Sequence, residues 1–195
     1  MAPREDLRED LVAAAERLVA RRGVAGLTVR EIAREAGVAT GLLYKHFAGK
    51  EELVALGLYA HFRSVDARLG DRPGPAGAGT VEANLRAYVT RALVLHEAVM
   101  PAFAGLPSEP GVRERFAALL DPATGGSGLR EDIADYLGAE RALGRIAEGT
   151  NVGTVATMII GACHELVLPR PHGAPAEVPP EFADELVETI LNGIL

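Results

Sequence analysis

Hydrophobic positions in this chain recur at three- and four-residue intervals, without the period-two alternation of half-buried strands. That spacing predicts helices throughout. Leu7, Leu11, Ala14, Ala15, Leu18 and Val19 make one stripe over about residues 4–22, closed by Arg21, Arg22 and Gly23. Ile32, Ala33 and Ala36 predict a short helix after Thr28, and Leu42, Leu43 and Phe47 another over about 39–46. Leu53, Leu56, Gly57, Ala60 and Val65 share one side of a helix from 50 to about 69. Residues 70–79, rich in Gly and Pro, read as a flexible surface loop. Thr80 is an N-cap candidate for a long helix through Val99, apolar over much of its circumference, which Pro101 should kink or end. Shorter patterns follow at 107–120 and 129–147. The run 151–168 is apolar nearly all round, and 181–195 carries a last amphipathic stripe after the Pro-rich segment 169–180.

The most structured signal lies at residues 28–53. Thr28 and Glu31 have the Thr-x-x-Glu spacing of a capping box, and Leu27 and Ile32 flank it at the spacing of a hydrophobic staple. Gly37 stands where a left-handed residue would end the first helix. A short helix, a Gly-bearing turn and a second helix make a helix-turn-helix, whose second helix enters the DNA major groove. The run Thr28-Val29-Arg30-Glu31-Ile32-Ala33, then Ala36-Gly37-Val38, Gly41, Leu43-Tyr44-x-His46-Phe47 and Lys50-Glu51-Glu52-Leu53 closely resembles the DNA-binding region of TetR-type transcriptional regulators. The resemblance covers a quarter to a third of the chain.

It implies an all-α protein with a three-helix helix-turn-helix head at 1–49. A larger helical bundle at 50–195 would bind ligand and dimerise. Thr28 caps its helix, so the free amides there and Arg30 could face phosphate; for Thr28, capping alone is an equal reading. Tyr44, His46 and Lys50 match family positions that hold the sugar-phosphate backbone. Base readout falls to Ala39, Thr40, Gly41, Leu42 and Lys45. Lys45 could donate to guanine or equally to phosphate, and Thr40 could meet a thymine methyl. Ala39 stands where the family often has a capping Ser or Thr, and Leu42 where a small or polar residue is frequent.

Composition sharpens this in places. No Trp and 5% aromatic residues agree with helices over sheet. The net charge of −7 looks wrong for a nucleic-acid binder until it is mapped. Residues 1–62 hold nine Lys/Arg and nine Asp/Glu, so the whole excess of acid lies beyond them. The single Cys163 excludes an internal disulfide, no signal peptide is visible, and no apolar run is long enough to span a bilayer. A cytoplasmic protein without membrane association is expected.

The family resemblance further implies a small-molecule effector within helices at 51–168. Phe62, Tyr88, His96, Met100, Phe103, Phe116 and Tyr136 are the candidate lining, each taken alone more often ordinary core, and the few charges on those faces favour a neutral or apolar effector. By the same resemblance the last two helices pair with a second subunit through Val155, Ile159, Leu166, Phe182, Leu186, Ile190 and Ile194. A homodimer would then read a palindromic double-stranded operator. No cofactor or metal is called for. Two rival readings are weighed: a redox or metal sensor through Cys163, and a small enzyme using His96-Glu97 or Cys163-His164-Glu165. Adjacent residues on a helix point about 100° apart, so neither cluster is a ready dyad, and no P-loop, GxGxxG or Gly-x-Ser-x-Gly motif is present.

Overall fold

A computed structural model describes residues 4–103, 105–121, 128–167 and 178–194, with backbone alone at 4–6 and 194. Its described residues contain helices α1 (Arg4–Arg22), α2 (Val29–Glu35), α3 (Lys50–Arg68), α4 (Val81–Phe103), α5 (Pro110–Leu120), α6 (Leu129–Ala142), α7 (Val152–Val167) and α8 (Phe182–Ile194). Two 3-10 helices, Thr40–Lys45 and Leu106–Ser108, stand between them. The fold is all-α, with no strand among the described residues. No described helix is long and apolar enough to cross a membrane.

The chain packs as two compact units. The first comprises Met1–Arg68 and Ala98–Gly126, the second Leu69–Glu97 and Ser127–Leu195. The first packing unit thus runs past residue 49, taking in α3, the end of α4 and α5. Its core gathers Leu11, Ala14, Ala15, Leu18 and Val19 of α1 with Ile32, Ala33, Leu43, Phe47, Leu53, Val54, Leu58, Val112 and Phe116. Each such Leu or Ile, nearly free of solvent, contributes about 1.5–3 kcal/mol relative to exposure. Gly57 on α3 lets α1 approach closely: a Cβ there would lie 2.7 Å from the Ala15 Cβ.

The capping box forms as its spacing predicts. The Glu31 N–H donates to the Thr28 hydroxyl at 3.3 Å, and the Thr28 N–H donates to the Glu31 carboxylate at 2.9 Å. Gly37 ends α2 at φ 70°, a conformation that costs a residue with Cβ roughly 1–2 kcal/mol. The second helix of the motif departs from expectation. It is a six-residue 3-10 helix, not an α-helix over 39–46. Ala39 precedes it with no side chain to cap it, and Gly41 sits inside it, so little favours the wider α geometry.

Other boundaries are corrected likewise. Of the two outcomes expected at Pro101, a kink or an end, the helix does not end: α4 passes through to Phe103. Ala102 is buried there and its carbonyl accepts from the Val24 N–H at 3.2 Å, which offsets the lost turn hydrogen bond. The pattern at 107–120 divides into a 3-10 turn and α5, because Pro110 starts a new helix. α6 ends at Ala142 instead of about 147, since Gly144 turns left-handed at φ 71°.

In the second unit, Tyr88 and Tyr136 lie with ring centroids 5.2 Å apart, and His96 meets His164 edge to face at 4.3 Å. The loop read as flexible is tied down instead. The Gly77 N–H donates to Glu140 at 3.2 Å, Asn84 Nδ2 to the Ala78 carbonyl at 2.8 Å, and Arg145 to the Gly79 carbonyl at 2.6 Å. Glu140 itself is fully buried and ion-paired to Arg145 at 3.2 Å.

Candidate nucleic-acid interface

α2 has only seven residues, and its three faces divide the work. Ile32 and Ala33 point into the core. Glu31 and Glu35, four apart, face α1. Glu35 takes Arg21 at 2.6 Å and Arg17 at 2.9 Å, and Glu31 takes Arg22 at 2.8 Å. The Thr28 hydroxyl, then Arg22, holds the Glu31 carboxyl down to about 2, and Arg21 with Arg17 does the same for Glu35. Arg30 and Arg34 occupy the third face, both exposed, with no ion-pair partner among the described residues.

In the 3-10 helix, residues three apart eclipse one another. Leu43 and Phe47 anchor it to the core. Tyr44 stands 63% exposed, and Gly41 one turn before it has open space where a Cβ would be. Lys45 and Ala39 are exposed; Thr40, Leu42 and His46 are half-buried. This is a thin, uncluttered edge: one phenol, one ammonium, two guanidiniums on the neighbouring helix, and little bulk between them. Such a set suits phosphate contact by the cations and Tyr44, with base edges reached from Thr40, Gly41, Leu42 and Lys45.

Two expected contacts are already engaged. The Thr28 hydroxyl donates to Glu31 at 2.7 Å, which spends its proton on the cap. Lys50 Nζ, at the start of α3, pairs with Glu109 at 2.9 Å. Arg8 lies over the Phe47 ring, 5.1 Å from its centroid, and 3.7 Å from Glu52. Arg34 is a functional candidate the sequence reading passed over; its i+4 spacing from Arg30 was the available signal.

The candidate effector residues fall in both units. Phe62, Met100, Phe103 and Phe116 belong to the first, where Phe103 and Phe116 meet edge to face at 5.2 Å. Tyr88, His96 and Tyr136 belong to the second, all nearly buried. Burial holds the His96 ring neutral, its proton affinity down to about 4, and pushes Tyr136 up to about 12. The buried Glu140 corrects the reading of a face with few charges. Cys163 has no solvent exposure, and burial pushes its thiol up to about 12, which removes the thiolate a redox or metal sensor uses. Of the expected dimer contacts, Val155, Ile159 and Ile190 are corrected. They are buried within their own chain, since they lie on the inward faces of α7 and α8. Leu166, Phe182 and Leu186 are half-exposed, Met158 on α7 is 57% exposed, and the Ile194 side chain lies outside the described residues.

Residues 11–56 match the model of the bacterial regulatory proteins of the tetR family. Its head is therefore similar to the DNA-binding region of TetR-type regulators. Over 47 residues it is 49% identical to the HTH-type transcriptional repressor KstR2 of Mycobacterium tuberculosis, a match covering 24% of each protein. Over 50 residues it is 46% identical to the regulator TtgR of Pseudomonas putida, covering 26% of this chain and 24% of that one. The match thus spans about a quarter of the curated relatives' length. Beyond the head, likeness lies in the fold alone. FadR of Bacillus subtilis, solved with stearoyl-CoA, superposes with a TM-score of 0.64 at 19% identity, covering 96% of this chain and 99% of FadR. The multidrug-binding protein EbrR, solved with imidazole, gives 0.66 at 19% identity, covering 99% and 92%.

Proposed function

We propose that this TetR-type chain is a ligand-responsive transcriptional regulator, a repressor that binds a palindromic operator as a homodimer and is released by a small molecule. One observation carries the reading. On a capped helix-turn-helix, Arg30, Arg34, Tyr44 and Lys45 stand exposed on the DNA-facing elements, while the neighbouring arginines of α1 are consumed by Glu31 and Glu35. Lys45 and the cations of α2 supply phosphate contacts, and Thr40, Gly41, Leu42 and Lys45 supply readout. Regulation rather than catalysis is the role, in the cytoplasm where the operator is.

Release by a small molecule rests on the fold shared with FadR and EbrR, whose structures hold stearoyl-CoA and imidazole. Tyr88, His96 and Tyr136 in the second unit, and Phe62, Met100, Phe103 and Phe116 in the first, are the effector candidates. Pairing of subunits falls to the apolar side chains that α7 and α8 leave uncovered, Met158, Leu166, Phe182 and Leu186. A two-fold pair would set the recognition segments about one DNA turn apart, ~34–36 Å.

Selection of bound sequences from a random DNA pool tests DNA recognition and pairing. The expected product is an inverted repeat bound by two chains. No enriched sequence would sink DNA recognition, and a single half-site bound by one chain would sink the dimer.

A further inference from the structure

Glu109 lies between the 3-10 helix Leu106–Ser108 and α5, in the N-cap position of α5. A short polar side chain such as Asp or Ser at that position ordinarily caps its own helix, which the longer Glu does less well. Glu109 makes no such bond. Oε2 instead receives Lys50 Nζ at 2.9 Å, and Oε1 receives the Gly26 N–H at 3.3 Å. Both acceptors reach back into the loop before α2 and the first turn of α3. Lys50 beside it holds the carboxyl of Glu109 below its usual range.

The contact is one of several that seat residues 102–103 and 105–111 on the same part of the first unit. The Val24 N–H donates to the Ala102 carbonyl at 3.2 Å. A Cβ on Gly105 would lie 2.4 Å from the Ala25 Cβ, and one on Gly111 would lie 2.9 Å from the Glu51 Cγ. Gly105 therefore allows a backbone approach that a residue with a Cβ would block, and that approach brings Glu109 to Lys50; a Cβ on Gly111 would press on the Glu51 side chain. The pair is only about a quarter exposed on the lysine side. A Lys50 ammonium held by this carboxylate is not available to a phosphate.

We propose that Glu109 is an autoinhibitory carboxylate that competes with the operator's phosphate for Lys50, so that operator binding requires the exchange of one for the other. The idea rests on the DNA-binding reading above and adds its control: whatever draws Glu109 away from Lys50 favours DNA, and whatever seats it there favours release. An ion pair of this exposure is worth up to about 1 kcal/mol, which is a roughly fivefold change in binding.

The test is a double-mutant cycle on the full chain with its selected DNA. Glu109→Gln keeps an acceptor for the Gly26 N–H but removes the charge. It should tighten binding about fivefold, and on a Lys50→Gln background it should change nothing. Weaker or unchanged binding by Glu109→Gln would overturn the proposal, because the carboxylate would then be positioning Lys50 or idle. Equal tightening with and without Lys50 would overturn it too, as a long-range field effect. Melting by circular dichroism checks that each variant folds. Should Glu109→Gln not fold, Glu109→Asp withdraws the charge from Lys50 and should tighten binding in the same direction. If the unmodified chain enriches no DNA at all, the DNA-binding reading falls and takes this one with it; if it binds tightly and Glu109→Gln is silent, this one falls alone.

Discussion

Gly57→Ala measures how much of the first unit depends on the close crossing of α1 and α3. Gly57 lies in the middle of α3 and is buried. The added Cβ would meet the Ala15 Cβ at 2.7 Å, the Ala15 carbonyl carbon at 2.9 Å and the Glu16 nitrogen at 3.0 Å. Carbon atoms in contact normally sit ~3.5–4.0 Å apart, so the helices must separate by about 1 Å. Two of the three atoms are backbone and the third is a Cβ, so no rotamer change relieves the clash. Overpacking of this kind costs about 1–3 kcal/mol, and rigid neighbours put it at the upper end. Alanine's better helix propensity returns about 1 kcal/mol. The net is a loss of about 2 kcal/mol, or a fall of about 4–8 °C in melting temperature for a chain this size. Gly138→Ala is the matched control. Gly138 is in α6, with nothing within 4 Å of its would-be Cβ, so the propensity gain is unopposed and the melting temperature should rise by about 2–4 °C. Thermal unfolding by circular dichroism decides both. A Gly57→Ala chain that melts at or above the unmodified temperature would refute the close-packing argument.

Arg30→Ala and Lys45→Ala should each make the salt dependence of DNA binding shallower by about one unit if the lost group holds a phosphate. A change in the selected sequence with Lys45→Ala would assign that lysine to a base instead. Acid should weaken the first unit through Glu31 and Glu35. Their folded values near 2 lie below the ordinary 4.5, so between those pH values the unfolded chain binds more protons. Stability is therefore full above about pH 4.5 and declines as pH falls towards about 2. Both pairs are open to water, so high salt should flatten the decline, and Glu35→Gln should flatten it at low salt. A melting profile across this range with no difference between Glu35→Gln and the unmodified chain would remove the α1–α2 pairs from the account.

What the sequence disclosed, and what it withheld, follows from the range of each interaction. The capping box at Thr28 and Glu31, the left-handed Gly37 and the Thr80 cap, whose hydroxyl accepts from the Ala83 N–H at 3.0 Å, are all closed within a few residues. Local spacing states such features in full. The 3-10 form of Thr40–Lys45 was hidden because the apolar spacing of Leu42, Leu43 and Phe47 suits either helix. Glu140 could have been found: it continues the Ile133–Leu137 stripe at i+7, a charge on a core-facing line. The loop that it and Arg145 tie down was not legible, since residues 77 and 79 lie more than sixty positions away. Which faces of α7 and α8 are buried within the chain is not legible for the same reason. An all-round apolar helix does not announce which stripe its own chain will cover, and Val155, Ile159 and Ile190 went inward.

Charge shows this most clearly. By count, residues 1–62 are neutral, and a neutral head should feel weak attraction to a polyanion. Pairing redistributes that neutrality. Glu31, Glu35 and Glu52 are matched to Arg22, Arg17, Arg21 and Arg8, which places the carboxylates where arginines of α1 screen them. Among the described side chains, the cations left over besides Lys50 are then Arg30 and Arg34 on α2 and Lys45 on the 3-10 helix, on the two elements that a helix-turn-helix presents to DNA. Lys50 would make a fourth, but Glu109, from a segment 59 residues on, takes it. On the proposed reading, a head with this arrangement would bind through few phosphate contacts, so each would be a large share of the whole. Moving one carboxylate on or off Lys50 then changes occupancy of the operator by a useful factor, which it would not do on a head already saturated with positive charge.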